Sequence, residues 1–584
     1  MEYVSSDRKL LPYGMMNFED IRLDNYYYVD KTSFIPLIEQ SDRFFFFIRP
    51  RRFGKSLTLN MLQHYYDVRT KDKFDSLFGD LYIGKHPTKD RNSYLVIKLN
   101  FSGITGELHN YRKSLDEHCR IVFDYFCDVY ADYLPEGIKE KMAEKDGAVS
   151  QFEYLFTECA RVNQKIYLFI DEYDHFTNTI LSDVDSLNRY TDETHKEGYL
   201  RAFFNKIKSG TDSSIKRCFI TGVSPVTMDD LTSGFNIGWN ISTDYQFNMM
   251  LGFSESDVRE MFQYYKDAGQ LKGDVEAMIT EMKPWYDNYC FAKESLTRDP
   301  KMFNCDMVFY YLRNYMNLDK APEQMIDPNT RTDYNKMKKL IQLDHLDGDR
   351  KGVLRKITEE GEIVTTLATT FPASQITDPE LFPSLLFYYG MLTITATRGN
   401  YLVLSIPNNN VRKQYYEYLL EEYQRQNKKY INLNDLGLMF YDMSYDGKWR
   451  EALEFIAHAY KDNSSVRSMI EGERNIQGFF TAYLSVSAYY LVAPEVELNH
   501  GFCDMFLMPD LQRYSGVAHS YILELKYLPS KEYETKAPAQ WQEAVDQIHR
   551  YAEAPRVQQL IQGTRLHCIV MQFSGWELAR MEEV

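Results

Sequence analysis

Paired cysteines, a long apolar run and a surplus of positive charge are all missing from this sequence. Its 584 residues hold eight cysteines (Cys119, Cys127, Cys159, Cys218, Cys290, Cys305, Cys503 and Cys568), scattered and with no Cys-x-x-Cys pair. That argues against a zinc knuckle and against a disulfide scaffold. Met1 to Asp30 lacks the apolar core of a signal peptide, and the longest aromatic run, Phe44 to Phe47, is far too short to span a bilayer. No membrane contact is expected, and the chain reads as cytoplasmic. Basic residues are in deficit, 67 Lys and Arg against 84 Asp and Glu for a net charge of -17. A protein that coats duplex nucleic acid is usually basic, so any such contact here is expected to be local and metal-assisted. Aromatics are plentiful, 46 Tyr and 36 Phe, but the tyrosines are spread along the chain and read as packing, not as a base-stacking platform. No internal repeat or low-complexity tract is visible, and the length divides into about three or four domains.

What is present begins at Phe44-Phe45-Phe46-Phe47-Ile48-Arg49-Pro50-Arg51-Arg52-Phe53-Gly54-Lys55-Ser56, a buried-strand pattern running into a Gly-Lys-Ser turn. A strand that ends this way delivers exposed amides, the Lys55 ammonium and a helix start at Leu57 to one point, where they can surround a triphosphate while the Ser56 hydroxyl holds Mg²⁺. The full pattern has glycine at position 49, where this chain has Arg49. Glycine permits torsions and close approach to phosphate that arginine tolerates poorly, so an altered loop geometry is expected. A bare Gly-Lys-Ser also reads as a helix N-terminus with a surface lysine.

The second signal is Lys165-Ile166-Tyr167-Leu168-Phe169-Ile170-Asp171-Glu172-Tyr173-Asp174, a continuous apolar run ending in paired carboxylates. Such a run reads as a central parallel strand. At its end Asp171 can bind the water shell of Mg²⁺ and Glu172 can polarise an attacking water; the bland alternative is an acidic loop after a core strand. A third strand, Lys216 to Pro225, ends with Thr221 and Ser224, either of which could sense a γ-phosphate, although both residue types also form turns before proline.

Taken together these segments resemble the AAA-ATPase-like proteins of bacteria. The resemblance rests on Leu-Pro-Tyr-Gly at 11 to 14, Tyr28-Val29-Asp30-Lys31-Thr32, Arg49 to Ser56 and Ile170 to Asp174, and continues through Ile220 to Ser224 and Leu251 to Ser254. In that family the loop itself reads Arg-Pro-Arg-Arg-Phe-Gly-Lys-Ser, which makes the missing glycine a family trait. The resemblance implies an ATP site formed by Gly54, Lys55, Ser56, Asp171 and Thr221; Arg51 and Arg52 flank the loop, where one of them is expected near phosphate unless they pair with a carboxylate across a domain interface. It also implies a C-terminal domain resembling PD-(D/E)XK nucleases.

Such a domain is readable from Pro494 to Leu507 followed by Tyr521-Ile522-Leu523-Glu524-Leu525-Lys526. This is a strand hairpin with Asp504 on one strand and Glu524 and Lys526 two apart on the next, hence on one face. Asp504 and Glu524 can bind Mg²⁺, and Lys526 can stabilise developing phosphate charge or orient water, which suits phosphodiester hydrolysis; a salt-bridged edge hairpin is the plainer alternative. Gly501 fits a sharp turn into the metal-binding strand. The resemblance further implies a helical glutamine facing the site, matched by Gln547, and a helical acidic residue, matched by Glu473 unless Gln477 takes that place. Glu473 also reads as an ordinary helix-start acid, and Glu497 as a solvated strand residue.

The expected architecture is therefore α/β: a P-loop parallel-sheet ATPase-like domain over residues 1–295, a mainly helical lid or winged-helix-like region and linker over 296–430, and an α/β restriction-endonuclease-like domain over 431–584. In the middle, Leu385 to Thr393 and Tyr401 to Pro407 suggest a helix and a hairpin; Asn410 to Tyr430 reads as a charged helical link whose Lys428-Lys429 pair is a solvated face. The expected function is an ATP-binding module controlling a Mg²⁺-dependent nuclease-like domain that acts on DNA. The alternative is a nucleotide-dependent regulatory protein that holds nucleic acid without cutting it. P-loop proteins of this kind often work as oligomers, so a homo-oligomer is an expectation with no number fixed.

Overall fold

The structure is a computed structural model that describes residues 8–104, 111–175, 199–226, 238–330, 350–370, 375, 378–426, 432–462, 473–498 and 501–584; the Lys428-Lys429 pair and the side chain of Glu497 lie outside these. The chain clusters into two compact units, residues 1–353 with 363–408, and residues 354–362 with 409–584. The expected region 296–430 is thus shared between them. A physical reason lies in the helix Phe382–Tyr388 and the strands that follow it, which pack on the first unit's own core, Thr393 Oγ1 accepting from the Cys290 amide at 2.8 Å.

The first unit is built on five parallel strands, β1 (Phe44–Ile48), β2 (Leu95–Asn100), β3 (Ile166–Asp171), β4 (Ile215–Gly222) and β5 (Trp239–Asn240), in the order β2-β3-β4-β1-β5. Every residue of β3 is buried, as its unbroken apolar run requires of a strand covered on both faces, whereas β2 at the sheet edge alternates between buried and half-buried. Because β4 lies between β1 and β3, the loop after β1 and the carboxylates after β3 open at one end of the sheet with the tip of β4 between them. The loop turns at Gly54 (φ +92°) into the helix Lys55–Tyr66. A smaller sheet holds β6 (Glu362–Thr365), β7 (Thr393–Arg398) and β8 (Tyr401–Ser405), the last two forming the expected hairpin.

The second unit is a five-stranded mixed sheet, β9 (Tyr490–Leu498), β10 (Gly501–Pro509), β11 (His519–Leu528), β12 (Arg565–Ser574) and β13 (Glu577–Glu583), ordered β13-β12-β11-β10-β9. Strands β9 to β11 form an antiparallel meander, and β11 and β12 are parallel, joined through the helix Tyr533–Ala552. Alternation along β11 sends Tyr521, Leu523 and Leu525 into a core with the helices Leu433–Asp446, Trp449–Asp462 and Glu473–Leu484. Ile522 goes to the other face, where Trp541, Ala544 and Ile548 of the helix Tyr533–Ala552 cover it. Period two then puts Glu524 and Lys526 on that second face.

Candidate functional site

In the first unit the phosphate-loop residues line a cavity of about 410 Å³ together with Asp171, Glu172 and Val223. The opposite wall comes from residues 12–31, 250–253 and 305–309, apolar for most of its extent through Ile21, Val29, Leu251 and Phe309. Lys55 donates to the carbonyls of Arg49 and Pro50, both at 2.8 Å, and burial brings its pKa down to about 8 against the pull of Asp171 and Asp174. The Ser56 hydroxyl donates to Asp171 Oδ2 at 3.0 Å. Asp171 is buried, which raises its pKa, while the Ser56 bond and Lys55 oppose the rise. Hydroxyl and carboxylate together are the hard oxygen donors a Mg²⁺ ion takes beside a triphosphate, so the residues fit that ion.

Glu172 sits in the left-handed region (φ +50°), its amide donating to Asp171 Oδ1 at 3.0 Å, with its side chain half-exposed at the cavity. Thr221 needs correction as a phosphate-sensing residue. Its hydroxyl is buried between strands and donates to the Phe47 carbonyl at 2.7 Å, clasping β4 to β1. Ser224 is likewise fully buried, its hydroxyl accepting from the Val226 amide at 3.1 Å. Arg51 and Arg52 both line the cavity, and Arg52 is also held by Asp306 at 3.6 Å, by Asp327 at 4.0 Å and by the Asn329 carbonyl. These contacts lie within the first unit and not across a domain interface.

The missing glycine has a plain explanation. The backbone positions that need φ > 0 are 52 and 54, not 49, so no glycine is required where Arg49 stands. The loop geometry expected to suffer from Arg49 is instead built around it.

In the second unit Asp504 lies beside the register pair Met505 and Leu523, and its Oδ2 accepts from the Leu525 amide at 2.7 Å. Lys526 Nζ lies 2.9 Å from Glu524 Oε1 and 3.6 Å from Glu473 Oε1. Burial, reinforced by the charge of Glu524, pushes the Asp504 carboxyl well above the ordinary carboxylate range; burial likewise raises Glu524, with Lys526 pulling it back. Two buried acceptors, Glu524 Oε2 and Gln547 Oε1, have no hydrogen-bond partner among the described residues. Gln547 stands one helical turn before Tyr551, whose hydroxyl feels the charges of Glu524, Asp504 and Lys526, so the glutamine shares the helix face turned toward the carboxylates. Among the described residues no three acidic, histidine or cysteine side chains converge on one point. Two carboxylates with an orphaned oxygen still fit Mg²⁺, which protein sites commonly hold by one or two carboxylates, with water and phosphate completing its shell.

Residues 12–232 match the family model described as predicted AAA-ATPase, and residues 471–583 match that of the PD-(D/E)XK nuclease superfamily. The chain carries an AAA-ATPase-like domain and a PD-(D/E)XK nuclease superfamily domain. A curated protein of Azotobacter chroococcum mcd 1, described as an uncharacterized protein in the vnfD 5' region, is 27% identical over 301 residues, 50% of each chain. This chain therefore spans about half the length of the curated relative it matches. Among solved structures, Cdc6p from Pyrobaculum aerophilum is similar over 72% of this chain and 97% of its own at 12% identity and TM-score 0.24. The Aeropyrum pernix ORC2 protein is similar over 65% and 87% at 10% identity and TM-score 0.29. Both are loose likenesses. No helix among the described residues is long and apolar enough to cross a membrane.

One residue of the AAA-ATPase-like site was not singled out from the sequence. Asp174 is buried and accepts from the Val223 and Ser224 amides at 3.1 and 2.7 Å, tying the tips of β3 and β4 together; its spacing two residues after Glu172 was the available signal. In the nuclease-like site Gln477 and Glu473 take different places. Gln477 donates to the Asp504 carbonyl at 3.1 Å and so steadies the strand behind the carboxylate, while Glu473 faces Lys526. The wall formed by residues 12–31 was visible only as a motif without a role.

Proposed function

We propose that the AAA-ATPase-like domain binds and hydrolyses ATP, and that its nucleotide state controls Mg²⁺-dependent cleavage of DNA phosphodiester bonds by the PD-(D/E)XK domain. The observation that carries the reading is the Ser56–Asp171 hydrogen bond at 3.0 Å, formed by residues 115 apart in sequence beside the Lys55 ammonium. That meeting of a loop hydroxyl with a strand-end carboxylate is the arrangement a magnesium nucleotide needs. The loop amides and Lys55 grip the β- and γ-phosphates, and Glu172, at the rim, takes the proton of the attacking water. Ser56 and Asp171 are the groups that would hold Mg²⁺, which would supply neutralisation of phosphate charge.

In the nuclease-like domain Asp504 and Glu524 are the groups that would hold Mg²⁺, which supplies a polarised phosphoryl oxygen and a more acidic water. Lys526 lies where it can steady charge growing on the scissile phosphate, and the Gln547 carbonyl can accept from the attacking water. DNA as the substrate is supported by the match to the PD-(D/E)XK nuclease superfamily, and control of cutting by nucleotide by the pairing of the two domains in one chain that crosses between units at 353/354, 362/363 and 408/409.

The test uses the full chain with labelled DNA, Mg²⁺ or Mn²⁺, and ATP, ADP or no nucleotide. Asp504→Ala and Lys526→Ala should each abolish cutting, and Lys55→Ala should abolish nucleotide binding and change the cutting rate. Metal-independent binding with no products would support a holding role instead. Cutting by Lys55→Ala that matches the parent under every nucleotide condition would remove the control.

A further inference from the structure

Arg49 is a buried cation that the proposed chemistry does not use. Its side chain is 1% exposed and turns away from the nucleotide cavity into the body of the first unit. Nη1 donates to the carbonyls of Ile48 at 3.0 Å and Ser242 at 2.5 Å, and Nη2 to that of Phe247 at 3.0 Å. The guanidinium carbon lies 4.4 Å from the ring centre of Phe47 and 4.2 Å from that of Phe291, sandwiched between two π faces. No carboxylate among the described residues lies within ion-pairing distance of it, and Nε has no hydrogen-bond partner. Burying a cation without a counter-charge is costly, and three carbonyls and two rings offset only part of that cost. Such a group is kept for what it holds in place.

What it holds is the first residue of the phosphate loop. The Arg49 carbonyl accepts from Lys55 Nζ, as does the carbonyl of Pro50, so the position of the phosphate-gripping ammonium follows the backbone that Arg49 anchors. The same backbone meets the turn after the helix Phe382–Tyr388. Gly390 (φ +77°) approaches Pro50 so closely that a Cβ there would stand 2.8 Å from Pro50 Cβ. Tyr388 lies near enough for its hydroxyl and the Arg49 cation to interact electrostatically. One side of the loop thus faces the cavity and the other rests on segments 242–247, 291 and 388–390.

We propose that Arg49 is the positioning residue of the phosphate loop, pinning it to these three segments and thereby setting how tightly it grips a triphosphate. This rests on the reading of the cavity as a nucleotide site. The planar fork serves three carbonyls at once, which neither lysine nor an apolar side chain reproduces.

Titration calorimetry of the full chain with Mg-ATP tests it, with Lys55→Ala as the reference for loss of binding. Arg49→Gly, which restores the more usual loop sequence, and Arg49→Lys, which keeps the charge, should each weaken binding by about tenfold or more, within the span of coupling through a packed network. Ethylguanidinium at millimolar concentration should recover the affinity of Arg49→Gly and leave the parent unchanged. Gly390→Ala, which displaces Pro50 without touching the arginine, should weaken binding in the same direction. If Arg49→Gly does not fold, Arg49→Lys and Gly390→Ala decide. Parent-like affinity in Arg49→Gly or in Arg49→Lys, or a loss in Arg49→Gly that ethylguanidinium does not restore, overturns the proposal. A parent that fails to bind Mg-ATP at all overturns the nucleotide reading instead.

Discussion

Replacing Asp504 with asparagine should make the metal-free protein more stable while removing its response to Mg²⁺. The Asp504 carboxyl is pushed from 3.8 to about 8, first by burial and then by Glu524. A group whose folded-state pKa lies above its unfolded one adds stability below the unfolded value and loses it as pH rises through the folded value, so the buried carboxyl is a growing burden between pH 4 and 8, where the unfolded chain gives up a proton that the folded one keeps. A tenfold change in proton affinity corresponds to about 1.4 kcal/mol. Asparagine keeps an oxygen for the Leu525 amide and gains an NH₂ that can serve the orphaned Glu524 Oε2. Relief of only about 2 kcal/mol, a fraction of what so high a carboxyl pKa implies, would raise the melting temperature of a unit this size by about 4–8 °C. Scanning calorimetry in EDTA at pH 4, 7 and 9 reads it: no gain at pH 4, a clear gain at pH 9. Added Mg²⁺ should stabilise the parent and leave Asp504→Asn unmoved. A lower melting temperature for the variant at pH 9, or equal stabilisation of both proteins by Mg²⁺, would refute the account of the two carboxylates.

Glu172→Gln should leave ATP affinity close to the parent's and cut ATP turnover by about 10²–10⁴, the usual loss for a general base, which a phosphate-release assay measures. Affinity for ATP should fall as pH rises past about 8, where Lys55 loses its proton, since the folded protein holds that lysine below its ordinary value; in Lys55→Ala this pH dependence should be gone. Gly54→Ala has open space for its methyl group but must keep φ +92°, a left-handed backbone that costs about 1–2 kcal/mol, so nucleotide binding should weaken without a steric clash.

The sequence made the framework of both sites legible because their strands announce themselves. An unbroken apolar run ending in Asp171 and Glu172 has no satisfactory home except a strand covered on both faces, and Glu524 and Lys526 two apart on a strand must share a face. Side-chain direction at the ends of strands was not legible. Thr221 could point to the phosphate or across to β1, and only the spacing between β4 and β1 decides that it bonds to Phe47. Arg49 looked like an obstacle because the loop sequence does not say which residues adopt φ > 0; that burden falls on Arg52 and Gly54. The extent of the first unit was hidden for a similar reason, since the contact of Gly390 with Pro50 spans more of the chain than any local pattern reports.

Strand β4 is fastened on both flanks, to β1 through Thr221 and to the acidic tip through Asp174, and Gly222 has no space for a methyl group between Asp174 and Tyr173. Three strand ends are in effect riveted into an anvil. A substitution that loosens either fastening should therefore shift the acidic tip and the phosphate loop together, because one strand between them supports both.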